Sequence, residues 1–300
     1  MSSQPVLQPA QPPIFVTLPN TEYFEIDSAV VGRRFAVWVT VPNYFDPNRA
    51  YPILYVPDGN LAAALTAPIL VMDDFIQPKQ PYIQVSVGYP PSEIANIFLL
   101  RNFDLIPPGE PASPVTLAMI DGAVASGAAP KEFGDAMKAS LQNARADLFL
   151  SFLADELHPQ IAAKFKVDES ACGLFAFSMG GLFSIYVALQ RHPLFKRIGA
   201  GSPGILTPQS VVFEMAEKAA RDGADYTGHH LHLSANELEI TTPGYYQATL
   251  GPNFGRFLST LSGSPIKGLT VSSQIIPNET HSTGPTAAFA SFIRTLYAAK

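Results

Sequence analysis

The sequence predicts an α/β protein, a mostly parallel sheet covered by helices on both faces. Three observations carry this reading. Short apolar runs alternate with helix-length amphipathic segments through most of the chain, the pattern of parallel strands joined by crossover helices. Several runs, residues 51–57 and 171–175 among them, are continuously apolar rather than alternating, as strands buried on both faces must be. Only 15% of residues are charged against 47% hydrophobic, a balance that implies a large core.

Residues 1–13, rich in Ser, Gln and Pro, lack the basic start and apolar stretch of a secretory signal. They read as a disordered tail ahead of a single domain spanning residues 14–300, and a cytoplasmic location is expected. Residues 22–27 and 34–41 read as antiparallel strands, the second placing Phe35, Val37, Val39 and Val41 on one face. Residues 51–57 form a central strand that stops at Asp58-Gly59-Asn60, just before a helical pattern over 61–75. Another strand covers 82–87 and ends at Gly88-Tyr89. Residues 101–107 read as irregular, with Arg101 either paired to Asp104 or facing a substrate.

Pro108, Pro111, Pro114, Gly122, Gly127 and Pro130 then punctuate two short helical segments, 115–124 and 131–141. The stretch at about 108–140 reads as a small helical cap or lid inserted over the site. Residues 143–165 form an amphipathic helix interrupted at Pro159. Strands follow at 171–175, 195–201, 231–234 and 269–276, and helices at 182–190, 209–222, 252–262 and 286–300. The uncharged stretch 170–190 is about long enough to span a bilayer, but Ser-Met-Gly-Gly at its centre marks a strand turning into a buried helix.

That turn, Ala176-Phe177-Ser178-Met179-Gly180-Gly181, has the grammar of a nucleophile elbow. Small residues two places either side of Ser178 relieve the crowding of a strained strand-to-helix corner, although the first is alanine rather than glycine. A serine hydroxyl needs a base to take its proton and an acid to orient that base. Of the six histidines, His281 has the right address, in the polar loop between the last strand and the last helix. His229, His230 and His232 lie on or beside a strand without further ligands at a metal-binding spacing, so no metal is expected. The acid should follow the strand at 231–234. Glu237 is preferred to Glu239 because it is nearer the strand end, and a Ser–His dyad with a weak acid is the remaining alternative. Oxyanion donors are expected at the backbone of Met179 and in the Gly59/Asn60 turn.

The net charge of −6, with no run of Lys or Arg, argues against nucleic acid or an anionic membrane as partner and favours a small-molecule substrate. Cys172 is the only cysteine, so no intrachain disulfide forms.

Several segments together resemble the esterase group of the α/β-hydrolase superfamily that includes bacterial siderophore esterases. They are residues 51–60 (YPILYVPDGN), Val87-Gly88-Tyr89, Arg101 with Asp104-Leu105-Ile106-Pro107, residues 152–159 (FLADELHP), residues 177–183 (FSMGGLF), Gly201-Ser202-Pro203 and Glu279-Thr280-His281-Ser282. Ala176 and Ile106 stand where the group has glycine and threonine, and Ser234-Ala235-Asn236-Glu237 lacks the group's glycine. The resemblance implies an α/β-hydrolase fold and a serine esterase that needs no cofactor. It implies Ser178 as nucleophile, His281 as base, and Met179 with Gly59/Asn60 as oxyanion hole. Arg101 and Tyr89 are the candidate substrate contacts. The substrate expected is a small-molecule carboxylic ester, and the alternatives are a siderophore trilactone esterase, an acyltransferase of the same fold or a non-catalytic binding protein.

Overall fold

The computed structural model describes residues 18–72 and 79–299. The expected tail and the end of the helix expected over 61–75 lie outside the described residues. Strands β1 (Thr21–Ser28), β2 (Arg33–Thr40), β3 (Ile53–Val56), β4 (Ile83–Gly88), β5 (Gly173–Phe177), β6 (Arg197–Gly201), β7 (His230–Asn236) and β8 (Thr270–Ile276) form one eight-stranded sheet in the order β1-β2-β4-β3-β5-β6-β7-β8. β2 runs antiparallel to both β1 and β4, and every later pairing is parallel.

The helices are α1 (Gly59–Val71), α2 (Ile97–Leu105), α3 (Pro114–Ala125), α4 (Lys131–Gln142), α5 (Ala146–Ser151), α6 (His158–Lys164), α7 (Met179–Leu189), α8 (Val211–Arg221), α9 (Glu237–Thr241), α10 (Tyr245–Ala248), α11 (Leu250–Gly263) and α12 (Pro285–Leu296). Strand side chains alternate between two cores. In β3, Ile53 and Tyr55 join Phe183 of α7, Phe213 of α8 and Phe257 of α11, while Leu54 and Val56 face Leu70 of α1 and Phe289 and Phe292 of α12. Both sets are buried, which is why the strand reads as a continuous apolar run. In β2, Phe35, Val37 and Val39 enter the first core, as their alternation predicts.

Two segments between β4 and β5 differ from the sequence expectation. Residues 101–105, part of the stretch expected to be irregular, complete a helix that spans 97–105. α2 buries Asn102 and Asp104 beside Leu105, and polar residues on the inward face hide the apolar period. The helix expected over 143–165 is split into α5 and α6 by a π-helical turn at Phe152–Leu157, one turn before Pro159. Proline supplies no N–H and its ring crowds the carbonyl four residues back, and the wider turn absorbs both.

Candidate active site

All the parallel strands end on one edge of the sheet, so the loops after β3, β5, β6, β7 and β8 converge there. At the end of β5 the chain turns through Ser178 with φ 60° and ψ −123°, a conformation that L-residues adopt only under constraint. The constraint is visible: Ser178 N–H donates to Gly201 O at 2.9 Å, and Ser178 O accepts from Gly204 N–H at 2.8 Å and from Leu182 N–H at 3.1 Å. A Cβ on Gly180 would sit 2.7 Å from Ala176 Cβ, and one on Gly181 2.7 Å from Gly201 O. With alanine at 176, position 180 has room only for glycine.

Ser178 Oγ lies 2.8 Å from His281 Nε2, and His281 Nδ1 lies 2.5 Å from Glu239 Oε1. Glu239 is buried and its other oxygen accepts from Ser202 Oγ at 2.7 Å and from Asn236 N–H at 2.9 Å. Burial pushes the Glu239 carboxyl up, but hydrogen bonds from His281, Ser202 and Asn236 outweigh it and hold the group below the usual glutamate range. The three side chains form an unbroken hydrogen-bonded chain. Tyr246 stacks on the His281 ring at 4.0 Å and 16°, and Phe177 packs against it at 5.0 Å.

The acid position corrects the sequence expectation. Glu237 does not reach His281; its Oε2 accepts from Asn278 N–H at 2.8 Å, pinning the start of the histidine loop. The reason is a short helix the sequence reading missed. β7 runs on to Asn236, which caps α9, and Glu239 is its third residue, reaching back to the cap N–H as a capping box requires. Helical geometry therefore turns Glu239, not Glu237, under the imidazole. The signal was present as Asn236-Glu237-Leu238-Glu239, a cap residue followed three places later by glutamate.

The Gly59/Asn60 turn also differs in detail. α1 begins at Gly59, two residues before the expected start, with Asp58 as its cap in the left-handed region at φ 58°. Leu61 and Ala62 N–H already donate to Asp58 O, which leaves Gly59 and Asn60 N–H ahead of the helix ladder. Gly59 is required here, since a Cβ would meet Trp38 and the Val87 backbone at 2.9 Å. The Asn60 amide clamps Tyr89, donating to its carbonyl and accepting from its N–H, both at 2.8 Å. β3 neighbours β5, so this turn stands beside the elbow, and Asp58 Oδ2 lies 3.6 Å from the Cβ position of Gly180.

Both expected substrate contacts are engaged within the protein. Arg101 forms a two-pronged pair with Asp58, Nε to Oδ1 at 2.9 Å and Nη2 to Oδ2 at 2.7 Å. Burial disfavours its charge, and Asp58 more than offsets that. Asp104 is not its partner, being held by Arg33 at 2.7 Å and by the Tyr89 hydroxyl at 2.8 Å. Tyr89 is itself buried. Of the clustered histidines, His232 sits between the hydroxyls of Ser272 and Ser291, and burial pushes it down to about 4.

Residues 108–140 supply α3 and most of α4, which pack on each other and, through Leu117, Ile120 and Leu141, on Ile106 and Met179. A small cavity of about 30 Å³ remains between them, lined by Ile106, Leu141, Met179, Leu182, Gly204 and Leu206 among others.

A family model described as "Putative esterase" matches residues 109–240, a span that holds Ser178 and Glu239 and ends before His281. The chain is 25% identical over 194 residues to the ferri-bacillibactin esterase BesA of Bacillus subtilis, covering 63% of this chain and 60% of that one. It is 27% identical over 200 residues to the siderophore triacetylfusarinine C esterase of Aspergillus fumigatus, covering 64% and 59%. Over these spans the chain is similar to siderophore esterases. It spans about 60% of the length of these curated relatives. The fold is matched by the siderophore hydrolase EstB from Aspergillus nidulans, with a TM-score of 0.74 at 21% identity, covering 96% of this chain and 98% of that one. The fold is thus of the α/β-hydrolase type. Among the described residues no helix is long and apolar enough to cross a membrane, and residues 170–190 contain β5 and α7.

Proposed function

We propose that the chain is a serine esterase that cleaves a carboxylic ester through an acyl-enzyme. The observation that carries this reading is the continuous relay Ser178 Oγ–His281–Glu239 at the carboxyl edge of the sheet. Ser178 attacks the ester carbonyl while His281 Nε2 takes its proton, and Glu239 stabilises the imidazolium. Negative charge on the carbonyl oxygen is met by Met179 N–H, which begins α7, and by the N–H groups of Gly59 or Asn60 at the start of α1. Both helix ends also carry partial positive charge. Collapse expels the alcohol, protonated by His281, and a water activated by the same nitrogen releases the acid.

The named relatives support siderophore esters as the first natural substrates to try. The test is a panel of p-nitrophenyl acetate and butyrate, a hydroxamate siderophore ester and a catecholate trilactone, run on wild type and Ser178→Ala. Turnover that disappears in S178A, together with labelling of Ser178 by a fluorophosphonate, is the expected result. Turnover that survives S178A would refute the assignment.

A further inference from the structure

The base His281 is held by more than its two hydrogen bonds. Tyr246, on the short helix α10, lies almost parallel to the imidazole at 4.0 Å and 16°, so the ring cannot rotate about its Cβ without losing that contact. An electron-rich aromatic face also favours an imidazolium over a neutral imidazole, so the contact strengthens as the proton arrives from Ser178. The neighbouring residue, Tyr245, points elsewhere. Its hydroxyl is 2.7 Å from Thr116 Oγ1 on α3, the first helix of the residue 108–140 segment. The two tyrosine rings contact each other edge to face at 5.2 Å. α10 also follows Gly244, whose φ of 154° is open to few other residues, and it runs directly into α11.

We propose that α10 couples the cap to the catalytic base: Tyr246 is a positioning residue that aligns His281 by stacking, and the Thr116–Tyr245 hydrogen bond makes that alignment depend on where α3 sits. This rests on the reading of His281 as base. A shift of α3 then reaches His281 through Tyr245 and Tyr246, so the alignment of the base with Ser178 is tied to the position of that helix.

The experiment measures kcat and KM on p-nitrophenyl butyrate, and the rate of fluorophosphonate inactivation, for wild type, Y246L, Y246F, Y245F, T116V and S178A. Loss of the stack in Y246L should lower kcat and the inactivation rate together by roughly fivefold to tenfold, with KM within about twofold. Y246F should restore most of that loss, because the ring and not the hydroxyl makes the contact. Y245F and T116V should each lower kcat by about threefold, the signature of the link to α3. These last two preserve the ring packing, so they decide the matter even if Y246L does not fold. A Y246L effect confined to KM, a Y246F defect as deep as that of Y246L, or unchanged kcat in both Y245F and T116V would overturn the proposal. Absence of any turnover that depends on Ser178 in wild type would instead sink the esterase reading.

Discussion

The Glu239 carboxylate meets the His281 imidazole at 2.5 Å through Nδ1, from a position two residues beyond the glutamate that chain order favoured. Both oxygens are engaged, one by the imidazole and one by Ser202 and Asn236, so the group cannot swing away. Replacing it with glutamine keeps the shape but removes the charge that stabilises the imidazolium. Glu239→Gln should therefore lower kcat on the order of 10³-fold to 10⁴-fold. Glu237→Gln, which only weakens a bond to the Asn278 backbone, should stay within about threefold. Steady-state kinetics on a p-nitrophenyl ester, with circular dichroism to confirm folding, checks both, and a Glu237 variant as damaged as the Glu239 variant would reverse the assignment.

What the sequence showed and what it hid divide along physical lines. The parallel strands were legible because burial on both faces removes polar residues from β3 and β5 altogether. The pairing of Ser178 with His281 was legible because a strained corner and a loop after the last strand restrict which residues can stand there. Glu239 was not, because its place depends on five residues of helix whose only signal is the Asn236 cap. Arg101 and Tyr89 looked like site residues for a related reason. Polar residues after a strand are as easily buried against one another, as Arg101 is with Asp58 and Tyr89 with Asp104, as aimed at a ligand.

The alanine at 176 makes a prediction about the elbow. A Cβ on Gly180 would stand 2.7 Å from that of Ala176, so Gly180→Ala should destabilise the protein by roughly 1–3 kcal/mol through overpacking. Ala176→Gly alone costs about 0.5–1 kcal/mol from backbone entropy. If the clash is the cause, the A176G/G180A double variant recovers stability relative to G180A. Urea midpoints for the four proteins give the coupling, and simple additivity of the two losses would show that the contact is not responsible.

Asp58 and Arg101 form a second unit beneath the site, each about one-fifth exposed. Removing either leaves a largely buried charge without its counter-ion, so Arg101→Met should cost roughly 2–4 kcal/mol and reduce activity by loosening the cap of α1. Arg101→Lys rescues little, because an ammonium cannot reproduce the two-pronged contact. Asp58→Asn combined with Arg101→Met should be less harmful than Arg101→Met alone. Thermal melts on the set test this, and a double variant weaker than the single would contradict the pairing argument.

Glu110, at the start of the residue 108–140 segment, accepts from Ser210 Oγ at 2.8 Å and from Val211 N–H at 3.0 Å, with no cation among these contacts. Burial pushes its carboxyl up to about 7, and the two hydrogen bonds offset only part of this. The sign of the pH effect follows. Below the ordinary glutamate range both folded and unfolded chains hold the proton, and Glu110 adds no pH dependence. Between that range and about pH 7 the unfolded chain has released its proton while the folded one keeps it, so stability falls as pH rises. Above about pH 7 the folded group must ionise in place and the loss is complete. Glu110→Gln cannot titrate and still offers an oxygen to Ser210 and Val211. Its Tm should match wild type near pH 4.5 and exceed it by a few degrees at pH 8, since about 1 kcal/mol moves a chain of this size by roughly 2–4 °C. A Tm difference that stays constant across that range would mean that Glu110 is ionised throughout.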